Sequence, residues 1–246
     1  MNKNFRIYRK DGLYLEQDGK TICITDACLK HYGYTSNDHE IILCYEEHDG
    51  SVMQKKVNDE LVSTEIILCS KNKKFQNREL YIECPEKELY LFFSSYYKGK
   101  KMILYYRKAQ PVRVFDFCDD VPFQTLRLQN GSILVLYQKG GTLGYSLLSD
   151  DCFSNFFPVA AKNPIKIFEW HKKLYLLTLE EQYILYNLTE NKRYPLPLVF
   201  HKKPTLFFQE SCIELRYRFY HKHVIYALIN EEILFLREED ILDEHH

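Results

Sequence analysis

The chain has 246 residues, 46% hydrophobic and 27% charged, which is enough apolar material for a packed core and excludes a disordered chain. Lys plus Arg (33) nearly balance Asp plus Glu (34), for a net charge of −1, so no whole-molecule field draws the protein to nucleic acid or an anionic membrane. No run of about 18 apolar residues is present to cross a bilayer.

The opening MNKNFRIYRKDG lacks the apolar core of an export signal. The eight cysteines lie mostly within apolar runs such as TICIT, IILCY and IILCS, the setting of buried free thiols rather than of a disulfide framework. Together these features predict a soluble protein of a reducing compartment, the cytoplasm, and the free use of Lys, Asn, Ile and Tyr suggests an AT-rich bacterial or phage genome. Tyr (20) and Phe (16) supply most of a 15% aromatic share, which favours strands over helices.

In chain order, NFRIYRKDGLYLEQDG is extended and unassigned, and TICIT leads into a hairpin that begins at Glu40, EIILCYEEHDGSVMQKKV. The next stretch, VNDELVSTEIILCS (57–70), is ambiguous. Its apolar spacing at Val57, Leu61 and Leu68 suits a helix, but the β-branched pair Ile66 and Ile67 suits a strand. Further hairpins follow: ELYLFFSSYYKGKKMILYYRK from Glu88, NGSILVLYQKGGTLGYSLL, KLYLLTLEEQYILYNLT from Lys173 and HVIYALINEEILFLRE from His223.

Their first apolar residues, Ile41, Leu89, Ile133, Leu174 and Val224, are spaced by 48, 44, 41 and 50 residues. A period of about 46 lies in the range of propeller blades. Extended runs precede each hairpin (TICIT, ELYIE, FQTLRL, IKIF, IELRYRF), and a fourth follows most of them (STEIILC, VRVFDF, FSNFFPV, YPLPLVF). The expected fold is therefore all-β, one β-propeller domain over 1–246 with five four-stranded blades. The last hairpin ends near Arg237 without an outer strand, so the N-terminal segment is expected to pair with it and close the ring. A β-sandwich is the alternative, with turns every 8 to 12 residues and no longer period.

The stretches NGSILVLYQKGGTLGYSLL and KELYLFFSSYYKGKKMILYYRKAQPVRVFDF resemble blades of sialidase-like (BNR-type) propeller proteins of Gram-positive bacteria. The resemblance implies a propeller. It does not imply glycosidase chemistry, because the Asp-box pattern Ser-x-Asp-x-Gly-x-x-Trp is missing and the single Trp170 stands outside such a setting.

Several constellations could carry chemistry. Cys23, Cys28, His31, Cys44 and His48 offer the thiolates and imidazoles that zinc prefers, although Cys23 and Cys44 lie in strand-like runs and the spacing fits no familiar finger. Asp116, Asp119 and Asp120 in FDFCDD, with Glu169 and Glu210, could meet in a central funnel as paired carboxylates for glycoside cleavage. No G-x-S-x-G and no phosphate-cradling loop occurs, since Lys139-Gly140-Gly141 reads as a hairpin turn. YYKGKKMILYYRK could stack bases and hold phosphates, but Lys98, Lys100 and Lys101 fall at a turn, where lysines are commonly solvated. No cofactor is implied. Loops rich in Tyr, Phe and His (HYGYTSNDHE, SDDCFSNFF, FHKKPTLFFQES) suit a protein partner. The expected function is a non-enzymatic binding or scaffold module, with a glycan-binding or glycoside-hydrolysing propeller as the alternative.

Overall fold

In the computed structural model of the chain, the residues described are 5–17, 19–26, 28–36, 40–58, 62–68, 79–83, 89–107, 110–149, 151–198 and 202–241, without the side chains of 28–31 and 68. Among them the regular elements are 24 strands in six antiparallel sheets. The chain divides into two compact units, Met1–Pro158 and Val159–His246.

The first unit holds four sheets. The first contains β1 (Phe5–Arg9), β2 (Leu13–Gln17) and β3 (Lys20–Thr25), and the second β4 (Cys28–Ser36), β5 (Glu40–Glu47), β6 (Val52–Asn58) and β7 (Val62–Leu68). The third contains β8 (Leu80–Glu83), β9 (Tyr90–Tyr97), β10 (Lys100–Arg107) and β11 (Arg113–Phe117). The fourth contains β12 (Gln124–Arg127), β13 (Ile133–Lys139), β14 (Thr142–Ser149) and β15 (Cys152–Phe153), with β16 (Phe157–Pro158) also paired to β14.

Each sheet is a meander, and the second strand is the most deeply buried, as in Ile41–Glu46, Tyr90–Ser95 and Ile133–Tyr137. The reason is that such a strand has a neighbour sheet on both faces, so its side chains alternate between two cores. Leu43 and Tyr45 join Leu13, Leu15 and Ile24 on one side, while Cys44 joins Leu91 and Phe93 on the other. Tyr90 and Phe92 then point to the next core, with Ile133, Val135 and Tyr137. Fully burying such a Leu or Phe contributes roughly 1.5–3 kcal/mol. The first strand β8 lies against both β4 and β12, so the first strands adjoin and the later ones fan outward.

In the second unit, β17 (Pro164–Trp170), β18 (Lys173–Leu179), β19 (Tyr183–Asn187) and β20 (Lys192–Pro195) form one sheet. The other is β21 (Thr205–Phe208), β22 (Ile213–Phe219), β23 (Lys222–Ile229) and β24 (Glu232–Asp240). Phe168, Tyr175, Leu185, Ile213 and Tyr217 share their core.

Three sequence expectations are corrected. There are six sheets rather than five, because β1 to β3 form a sheet of their own. The last sheet carries its own fourth strand, β24, and β1 pairs with β2, so the N-terminal segment does not complete the C-terminal blade as expected. The hairpin read from Val224 is β23–β24, one strand out of phase. The central pair is β22–β23, as the burial of Ile213, Leu215 and Tyr217 against the exposure of β24 shows. That slip lengthened the last spacing to 50. The ambiguous stretch after Val57 is strand over Val62–Leu68, where β-branched residues suit the pleat.

Candidate functional site

The segment FDFCDD ends β11 and crosses to β12, bringing the third and fourth sheets together around an open cleft of about 390 Å³. Two hairpin turns flank it. In the β9–β10 turn Lys98 and Gly99 have φ of 49° and 78°, and in the β13–β14 turn Gly140 and Gly141 have 58° and 78°. Paired positive φ is the backbone that joins two twisted strands in two residues.

Each carboxylate of FDFCDD is held. Asp116 accepts from Lys139 Nζ at 2.9 and 2.8 Å and from the Tyr137 hydroxyl at 2.8 Å. Asp119 accepts the amides of Gly140 (3.1 Å) and Gly141 (2.8 Å). Asp120 accepts the Tyr96 hydroxyl at 2.5 Å, and that bond, with burial, pushes the Tyr96 phenol up to about 12. Between them, burial pushes the Cys118 thiol up to about 11 against the pull of Lys101.

Lys101, expected to be a solvated turn lysine, is only 5% exposed. Its Nζ donates to the Val121 carbonyl at 2.7 Å and lies 3.1 and 3.0 Å from the two Glu79 oxygens. Burial holds the Glu79 carboxyl above the usual range despite that cation. The sequence offers no signal for this pair, since Glu79 lies 22 residues upstream of Lys101. The rim is apolar, with Tyr97 54%, Phe117 41% and Val121 37% exposed, and Lys98 stands over the Tyr97 ring at 5.3 Å.

The five funnel carboxylates are not gathered on first strands. Asp116 is on a fourth strand, and Asp119 and Asp120 are in the connection after it. Glu169 is on β17 of the other unit, and Glu210 sits in the β21–β22 turn, where its carbonyl lies 2.8 Å from His171 Nε2. Trp170 serves the same junction, its Nε1 donating to the Gln209 carbonyl at 3.1 Å.

Of the zinc candidates, Cys23 is exposed on β3, and Cys44 is fully buried on β5, where burial drives its thiol far up. His48 is exposed in the turn after β5. The side chains of Cys28 and His31 lie outside the described residues, as do His245 and His246. Among the described residues no group of three or more His, Cys, Asp or Glu is placed to hold a metal. No helix there is long and apolar enough to cross a membrane.

No family model and no curated protein matches the chain. Solved structures do. The six-bladed propeller lectin of Aleuria aurantia aligns over 96% of this chain and 89% of its own, with TM-score 0.54 and 9% identity. A structure from a study of two prolyl endopeptidases aligns over 96% of this chain, with TM-score 0.56 and 12% identity. This chain covers only 39% of that one.

The fold is a β-propeller. A putative 6-phosphogluconolactonase from Bacteroides uniformis matches at similar strength, with TM-score 0.53, 11% identity, and 94% of this chain against 79% of that one. The likeness is to the propeller in general rather than to its sialidase-like style.

Proposed function

We propose that this propeller is a non-enzymatic binding module that engages a protein partner in a bacterial cytoplasm, through the face built around FDFCDD. One observation carries the reading. The three carboxylates that could have served hydrolysis are committed to the fold, whereas Tyr97, Phe117 and Val121 stand exposed around the same cleft. Aromatic anchors beside charged rim groups are the pattern of residues that carry protein binding energy. The buried free thiols of Cys44 and Cys212 fit a reducing compartment.

The test is quantitative capture from host lysate with the wild-type chain and with a Tyr97→Ser, Phe117→Ser double variant of unchanged thermal stability. A protein recovered by the first and lost from the second supports the reading. Identical recoveries, or none under gentle conditions, overturn it. A second reading, glycan binding, rests on the fold likeness to fucose lectins. Retention on a glycan array would favour it.

A further inference from the structure

The N-terminal sheet is one strand short, and the missing place can be located. Phe5 of β1 meets Tyr34 of β4 edge-on at 5.7 Å. Lys55 of β6 reaches across to donate to the Ile24 carbonyl of β3. First strand thus faces first and third faces third, so β3 occupies a third-strand position. Every other sheet continues past that position with a further strand, while β3 pairs with no strand but β2 among the described residues.

The neighbouring sheet is shaped for such a strand. Val62 and Ile66 of β7 stand directly opposite Val57 and Met53 of β6, and opposed residues project to the same face of a sheet. Val57 and Met53 belong to the core shared with β2 and β3. Val62 and Ile66 therefore face the N-terminal sheet at fourth-strand level, 47% and 60% exposed. Between the third and fourth sheets that level is filled on both sides, by Phe115 of β11 against Phe153 of β15 with centroids 4.9 Å apart.

The composition of β3 is also that of an inner strand. Outer strands carry charges, as in RVFDF, KRYP and EILFLREED, which discourage edge-to-edge pairing. KTICIT has one, at its first residue.

We propose that a second copy of this chain supplies the missing strand, with the two β3 strands antiparallel about a two-fold axis normal to the sheet. The sequence Lys20-Thr21-Ile22-Cys23-Ile24-Thr25-Asp26 complements itself in that arrangement. With Cys23 on the axis, Ile22 stands opposite Ile24, Thr21 opposite Thr25, and Lys20 opposite Asp26, giving two ion pairs with no like charges opposed. An axis normal to the sheet keeps each residue on the same face in both copies. The second copy's Ile22 and Ile24 therefore arrive on the side of Val62 and Ile66. The contact is small, in the class of weak associations below about 1,200 Å².

Sedimentation of the full chain over a concentration series tests this, with Lys20→Asp, Asp26→Lys and the double exchange. Lys20 and Asp26 are exposed, so the variants leave the core intact. The wild type is expected to dimerise, each single reversal to weaken the dimer about tenfold or more, and the exchange to restore it. In a Cys152→Ser background a bismaleimide should join two chains at Cys23. A wild type that stays monomeric overturns the proposal and leaves a foreign strand as the occupant. A dimer indifferent to charge reversal overturns it by placing the contact elsewhere.

Discussion

The carboxylate of Asp119 lies 2.8 Å from the Gly141 amide, and the Gly140 amide donates to it as well, at 3.1 Å. A glycine pair with positive φ presents consecutive N–H groups to one point, which makes a small anion nest. Here the anion is a side chain of the connection that leaves the third sheet. The turn thus does more than reverse a strand, because it ties two blades together at their rim. Asp119→Ala should cost about 1–2 kcal/mol, the range for a partly exposed hydrogen bond to a charge. Asp119→Asn should fall between variant and wild type. Urea unfolding with an unchanged m-value measures this, and a loss near zero would mean that the nest contributes nothing.

Gly144 carries a steric prediction. A Cβ at this position would meet Phe156 Cζ at 2.4 Å and the Phe157 carbonyl oxygen at 2.5 Å. Gly144 pairs with Pro158, the site where β16 lies on β14, so Ala must displace that strand or strain β14. The expected cost is about 1–3 kcal/mol. Phe156→Ala should relieve only part of it, since the clash with backbone remains, and a double-mutant cycle in urea unfolding would read a coupling short of full compensation.

The hairpins β5–β6, β9–β10, β13–β14 and β18–β19 are legible in the sequence because each is a continuous apolar run interrupted by a turn signal. The N-terminal sheet is not, because β1 and β2 are five residues each and only Leu13, Leu15 and Ile24 of the sheet are deeply buried. The last blade was misphased because β24 begins with the apolar run ILFL, which reads as an inner strand although it is exposed. The role of FDFCDD was hidden for another reason. Its partners Gly140, Gly141 and Tyr96 lie some twenty residues away on either side, and only the stacking of blades brings them together.

Glu83 predicts a pH dependence. Burial raises its carboxyl above the ordinary 4.5, with the Thr125 hydroxyl, donating at 2.6 Å, acting in the opposite direction. The folded chain then holds a proton that the unfolded chain has released, so stability falls as pH rises from 4.5 through the raised folded value. Above that value the cost of the buried charge stays. Glu79 acts in the same sense. Glu83→Gln should therefore gain on wild type as pH rises from about 4.5, and flatten the dependence of the melting temperature on pH. Parallel curves for the two proteins would exclude Glu83 as a source of that slope.

Tyr96 gives the alkaline counterpart. Its hydroxyl donates to Asp120 at 2.5 Å, and this bond raises the phenol from 10.0 to about 12. A phenol raised on folding stabilises the protein fully below the unfolded value, and that contribution is lost as pH rises from 10 towards 12. Asp120→Asn keeps an acceptor but removes the charge, so the phenol should titrate closer to 10.0. The tyrosinate absorbance of wild type minus that of Tyr96→Phe isolates this one ring among 20 tyrosines. The same subtraction in the Asp120→Asn background should show the earlier midpoint. An unmoved midpoint would mean that burial of the ring, rather than its bond to Asp120, sets the shift.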